Sequence, residues 1–155
     1  MELAEILREE SVLYCTGLKT KHDVLENLAA TAAAAAGQNA QTVFEAIDAR
    51  EQLGSTGLGN GIAIPHGKLP GLHGVTAVFM RLDQPVDFDS LDDQPVDLVA
   101  MLLAPLGSGA DHLKALALFA RILRTESVVD RLRSITDPAQ LHEVLTQQLT
   151  THKAA

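Results

Sequence analysis

His66 stands between Pro65 and Gly67, with Lys68 beyond it, at the end of a glycine-dense stretch that begins near Arg50. Gly54, Gly57, Gly59 and Gly61 fall within eight positions, and Gly67 follows. Glycine loses more conformational freedom on folding than other residues, so this density points either to a long connection with tight turns or to a backbone shaped for a ligand. Proline fixes the approach of the chain to the imidazole, while glycine leaves space beside the ring and a free backbone N–H. An exposed imidazole on a stiff turn suits proton transfer, metal ligation or nucleophilic attack. Metal ligation needs further ligands. His22, His73, His112, His142 and His152 are scattered, and Cys15 has no partner, so no metal site and no disulfide are expected. Proton transfer needs a substrate pocket that the sequence does not place. Attack on phosphorus needs cations and N–H donors, which Arg50, Lys68 and the glycines can supply. Spacing alone does not choose among these, nor between them and a histidine that is merely structural or solvated.

Known glycine motifs do not fit. A Walker A loop places four residues between Gly and Gly-Lys-Ser/Thr. Here Gly61 and Gly67 enclose five, and Leu69 stands where the hydroxyl residue belongs. The dinucleotide fingerprint fails because Gly57-Leu58-Gly59-Asn60-Gly61 continues into Ile62. No G-x-S-x-G elbow is present. No nucleotide or other cofactor is expected.

The elements that must position these residues follow from patterning. Leu3, Ile6 and Leu7 suggest a short leading helix, and Ser11–Thr16 alternates as a strand. Thr20 caps a helix that carries Val24, Leu25, Leu28 and Ala32 and ends at Gly37. Asn39 caps a second helix running to about Gln52. Leu53–Gly61 breaks all periodicity, and Ile62–Ile64 is a brief apolar run closed by Pro65. Val75–Leu82 and Val96–Leu103 read as strands, the second apolar enough to be covered on both faces. Gln84-Pro85 and the aspartates up to Gln94 read as turns and edge structure. Ser108 and Asp111 open a helix through Leu123, Ser127–Ile135 forms a shorter one, and Asp137-Pro138 starts a last helix to about Leu149. Helices flank a block of three or four strands, which fits a mixed α/β sheet sandwiched between helical layers.

Composition bounds the function. The chain has 155 residues, suited to one domain, and 46% hydrophobic residues, enough for a core. Aromatics are only 3% and Trp is absent, so the core is expected to be aliphatic and base-stacking surfaces are disfavoured. The formal charge of −8 argues against nucleic acid and anionic membranes. No apolar run approaches the roughly 20 residues of a membrane span. The acidic MELAEILREE start lacks the basic, apolar pattern of a signal peptide. A soluble cytoplasmic protein is expected.

Arg50 to Lys68, REQLGSTGLGNGIAIPHGK, resembles the signature of the phosphotransferase-system EIIA type-2 (mannitol/fructose-like) domain, in particular its nitrogen-regulatory branch. Phe88-Asp89, the segment Asp93-Gln94-Pro95-Val96-Asp97-Leu98, and Asp111-His112-Leu113 are similar to further elements of that family. The resemblance spans essentially the whole chain, as one EIIA domain over residues 1–155. It implies a three-layer α/β/α sandwich with a mixed sheet and a regulatory phosphocarrier. His66 is then the phosphoacceptor, and its donor is the phosphohistidine of a carrier similar to HPr or NPr. His112 maps to the second histidine of the site and Arg50 to an arginine that holds the phosphate. Beside this, His112 could be a helix-capping residue and Arg50 a helix C-terminal cation. Ser55 and Thr56 are either phosphate donors or turn formers, Gly67 contributes its backbone N–H, and Lys68 is either a site cation or a solvated charge. Phosphohistidine chemistry makes the chain a phosphotransferase component rather than a turnover enzyme.

Phosphorylation state would then regulate partner proteins. Two alternatives are a free-standing fructose or mannitol EIIA that passes phosphate to an EIIB, and an interaction module whose His66 is never modified. Asp83, Asp87, Asp89, Asp92, Asp93 and Asp97 are expected to be turn and edge residues, some forming an acidic rim for a basic carrier.

Overall fold

The computed structural model describes residues 2–154, with side chains described from 2 to 147. Along the chain run α1 (Leu3–Ile6), a 3-10 turn (Glu9–Ser11), β1 (Val12–Cys15), α2 (Lys21–Ala36) and α3 (Ala40–Gln52). The short strands β2 (Gly57–Gly59), β3 (Ile62–Ala63) and β4 (His66–Leu69) follow, then the long β5 (Thr76–Val86) and β6 (Val96–Pro105). Three helices close the chain: α4 (Gly109–Leu123), α5 (Glu126–Arg133) and α6 (Pro138–Ala154).

Alternation along β5 and β6 organises the packing. Ala77 and Phe79 on β5, with Leu98, Ala100 and Leu102 on β6, face one side. Val78, Met80 and Leu82, with Val99, Met101 and Leu103, face the other. Both faces are apolar and both need cover. Leu25, Leu28, Val43 and Ile47 of α2 and α3 cover the second face. Leu118, Phe119, Val128, Leu132 and Leu141 of α4, α5 and α6 cover the first, with Leu3 of α1. The core is aliphatic as expected, with Phe79, Phe88 and Phe119 fully buried in it.

The sheet is mixed, in the order β1-β5-β6-β3-β2, with β4 beside β3 on the same edge of β6. β1 runs parallel to β5, β5 antiparallel to β6, and β3 and β4 parallel to β6. The result is a sheet between two helical layers, as the order of elements implied.

Helix boundaries follow local chemistry. Thr20 Oγ1 accepts the Asp23 N–H at 3.1 Å, and Asn39 Oδ1 accepts the Thr42 N–H at 3.1 Å. Asp137 Oδ1 accepts the Ala139 N–H at 3.2 Å, with Pro138 first in α6. Gly37, at φ 67°, turns the chain out of α2.

The strands differ more from expectation. β5 does not end at Leu82 but continues through Gln84-Pro85 to Val86, opposite Val96. Pro85 is tolerated because it lies in the irregular stretch between Arg81 and Val86. The stretch Leu53–Gly61, read as a break in periodicity, contains β2 and the turn that leads into β3. His66 begins a strand rather than sitting on a turn. α5 starts one residue earlier than expected and ends at Arg133. No helix among the described residues is long and apolar enough to cross a membrane.

Candidate phosphoacceptor site

β4 sets the direction of each side chain in its short run. Leu69 packs with the α2–α3 side of the sheet, and Gly67 lies on the same side two residues earlier. A Cβ on Gly67 would stand 3.2 Å from Ile47 Cδ1 and 3.5 Å from the Ala46 carbonyl carbon and oxygen. Glycine here lets α3 close onto β4. His66 and Lys68 alternate to the opposite face, the side of α4.

His66 is half-buried. Its Nδ1 lies 2.9 Å from the Ile64 carbonyl oxygen. A carbonyl can only accept, so Nδ1 carries the proton and Nε2 keeps its lone pair. Nε2 has no hydrogen-bond partner among the described residues. The backbone between the two residues is equally fixed: the Ile64 N–H donates to the Thr56 carbonyl at 3.1 Å, and the Pro65 carbonyl accepts the Leu102 N–H at 3.0 Å.

His112 is the fourth residue of α4, and its N–H donates to Ser108 O at 2.9 Å. It does not cap the helix with its side chain. Its ring lies 5.3 Å from that of His66, centroid to centroid, tilted by 55°. It is only 6% exposed, and its Nδ1 has no partner among the described residues. Burial, then the neighbouring His66 and Lys68, lower its pKa and favour the neutral ring. The preceding turn of α4 brings amides without intrahelical acceptors and the positive end of the helix dipole to the same place.

Arg50 lies in the last turn of α3 and is half-buried. Its Nη1 donates to the Gly54 carbonyl at 2.9 Å, and it pairs with no carboxylate among the described residues. Its charge is available to an anion while one N–H holds the loop. The two hydroxyls of the loop are engaged elsewhere. Ser55 Oγ donates to the Phe88 carbonyl at 2.8 Å and accepts the Gly57 N–H at 3.1 Å. Thr56 is buried and its hydroxyl donates to Glu51. The structure therefore brings His66 and His112 together, attaches Arg50 to the adjoining loop, and spends Ser55 and Thr56 on holding that loop. Lys68 is exposed.

Sequence reading passed over Glu51. It is buried, forms an ion pair with Lys21 (2.8 Å) and receives both the hydroxyl and the N–H of Thr56. A signal was present: a carboxylate in the last turn of a helix opposes the helix dipole and needs a specific reason to be there. Arg133 was passed over too. It binds Asp97 at 2.9 Å and the Asn60 carbonyl at 2.7 Å, tying the β2–β3 turn to α5. The other histidines stay dispersed. His22 pairs with Glu26, His142 approaches the Leu7 carbonyl, and the His152 side chain lies outside the described residues. No group of three or more potential metal ligands occurs among the described residues.

The model of the family "Phosphoenolpyruvate-dependent sugar phosphotransferase system, EIIA 2" matches residues 5–148. The chain belongs to the EIIA type-2 family. A nitrogen regulatory protein of Bradyrhizobium diazoefficiens is 48% identical over 145 residues, covering 94% of this chain and 95% of that protein. The nitrogen regulatory protein of Escherichia coli is 40% identical over 148 residues, covering 94% and 90%. The crystal structure of IIA-Ntr from Neisseria meningitidis superposes with a TM-score of 0.86 at 33% identity, covering 93% of this chain and 99% of that one. The sequence resemblance to the nitrogen-regulatory branch of EIIA type-2 is thus borne out, as is the mixed α/β fold of the family.

Proposed function

We propose that this EIIA type-2 chain is a cytoplasmic, single-domain regulatory phosphocarrier that accepts a phosphoryl group on Nε2 of His66. The observation that carries the site is the Nδ1–Ile64 carbonyl contact, which leaves Nε2 as the nucleophilic nitrogen beside a second imidazole. The donor is the phosphohistidine of a carrier similar to HPr or NPr. The Nε2 lone pair forms a bond to phosphorus as the donor's N–P bond breaks, and the donor imidazole leaves with that electron pair. Positive charge develops on the His66 ring, and the Ile64 carbonyl accepts from the Nδ1–H that carries it. Neutral His112 can donate an N–H to a phosphoryl oxygen, and Arg50 and the start of α4 add positive potential. Leu106 and Leu113, exposed on either side of Ser108 in sequence, supply apolar surface for a docked carrier.

A phosphoryl group adds roughly two negative charges, enough to make or break a docking interface, so regulated partners would read the state of His66. Phosphotransfer from phosphoenolpyruvate through an EI-type enzyme and an HPr-like carrier tests this reading. His66→Ala should take no label. His112→Ala and Arg50→Ala should be slowed by up to about 100–1,000-fold, the usual cost of removing a donor to developing charge. Label passing onward to a separate EIIB would identify a sugar-specific carrier. A wild type that stays unlabelled, and binds partners as His66→Ala does, would make the chain an interaction module.

A further inference from the structure

We infer that Glu51 is a positioning residue for His66, acting through Thr56 and Ile64; the inference rests on the reading of His66 as the phosphoacceptor. Five residues are linked in series. The Glu51 carboxylate is held by Lys21 at 2.8 Å. It accepts the hydroxyl of Thr56 and, at 3.3 Å, the Thr56 N–H. The carbonyl of that same Thr56 accepts the Ile64 N–H at 3.1 Å. The Ile64 carbonyl then meets His66 Nδ1 at 2.9 Å.

The place of this link in the fold gives it consequence. β3 and β4 both pair with β6, Ile62 opposite Leu98 and His66 opposite Leu102. Between them the register is unbroken, the Pro65 carbonyl accepting the Leu102 N–H, while the Ile64 N–H faces away from β6 and donates to Thr56. Pro65 has no N–H and so adds only its carbonyl to that pairing. The residue whose carbonyl orients the His66 ring is therefore held through its own N–H by Thr56, while β6 holds the next residue through the Pro65 carbonyl. Thr56 in turn is fixed by a carboxylate that is only 2% exposed. Lys21 is fixed as well: its Nζ donates to the Phe88 carbonyl at 3.3 Å and lies 4.9 Å from the Phe88 ring centroid.

Loosening this series moves the Ile64 carbonyl, and the ring loses its bias toward the Nδ1–H tautomer. Nε2 then carries the proton in part of the population and cannot attack. Thr56→Val removes the hydroxyl at nearly constant volume, Thr56→Ser restores it, and Glu51→Gln removes the charge. Two readouts apply: the ring ¹⁵N shifts of His66, which report the tautomer without any donor, and the rate of phosphotransfer from the HPr-like carrier. Thr56→Val and Glu51→Gln should shift the tautomer toward Nε2–H and slow transfer about 3–30-fold, with Thr56→Ser close to wild type. Wild-type tautomer ratio and rate in a folded Thr56→Val would overturn the inference. If Glu51→Gln fails to fold, the Thr56→Val and Thr56→Ser pair decides alone. A wild type that takes no label would instead overturn the phosphoacceptor reading, while the ring shifts still decide whether Thr56 and Glu51 set the tautomer.

Discussion

Protonating His112 would place a charge on a ring that burial, His66 and Lys68 all disfavour. Its folded pKa is lowered from 6.5, so near that value the unfolded chain binds more protons than the folded one. Stability then rises with pH through this window, and the contribution is lost as pH falls below about 6.5. Carboxylates lose their own interactions at lower pH, so the test is a difference. Urea midpoints measured from pH 7.5 to 5 should fall more steeply for wild type than for His112→Gln. Parallel curves would show that His112 is not the group held neutral. The same residue shows the reach of sequence reading. The I-P-H-G and D-H-L patterns pointed to His66 and His112 without any knowledge of their separation. They could not supply the Ile64 carbonyl, because a backbone acceptor has no residue type to recognise. Glu51 left one trace, a carboxylate in the last turn of α3, but its partners were hidden for a related reason: a buried carboxylate and a solvated one look alike until the partner across the fold is known.

At the scale of elements, the β2–β3 hairpin is held by contacts at its tip. Asn60 has φ 57° and Gly61 φ 82°, so the turn uses left-handed backbone in succession. A Cβ on Gly61 would lie 2.5 Å from Arg133 Nη2 and 2.9 Å from Asp97 Oδ1. Gly61→Ala must therefore adopt a strained backbone and disturb an ion pair at once. The expected cost is about 1–3 kcal/mol, with a fall of several degrees in Tm at roughly 2–4 °C per kcal/mol for a chain of this size. Thermal unfolding checks this, and a Tm within about 1 °C of wild type would refute the packing described. The helices were legible because caps and 3.6-residue periodicity are local: Thr20, Asn39 and Asp137 all sit where they cap. β4 was not. His66-Gly67-Lys68-Leu69 has little β propensity and becomes a strand because β6 offers it a parallel edge. A mixed sheet between helical layers followed from the order of elements, whereas the strand order and this edge pairing needed the tertiary fold.

The whole molecule carries a formal charge of −8, and much of it is gathered between Asp83 and Asp97. Several of these aspartates have structural work. Asp97 is bound by Arg133, and Asp92 accepts the Asn60 N–H at 2.9 Å, which, with the Gln94 N–H, lowers its pKa. Asp87 accepts the Asp89 N–H at 3.0 Å, and Asp83 that of Gln84 at 2.8 Å. These hydrogen bonds fix the loops but neutralise little charge, so Asp87, Asp92 and Asp93 still present negative potential to solvent. The segment lies against the glycine-rich loop that precedes β3, since Ser55 bonds to Phe88 and Asn60 to Asp92. A basic carrier approaching His66 would meet this field before contact. Electrostatic steering raises association toward about 10⁸–10⁹ M⁻¹s⁻¹ from a neutral 10⁵–10⁶ and is screened as the Debye length falls from about 10 Å at 0.1 M salt to 3 Å at 1 M. Raising salt from about 0.05 to 0.5 M should thus lower the second-order rate of phosphotransfer roughly tenfold. The first-order step at saturating carrier should change little, because it occurs after encounter. A second-order rate indifferent to salt would mean that the aspartates serve the loops alone.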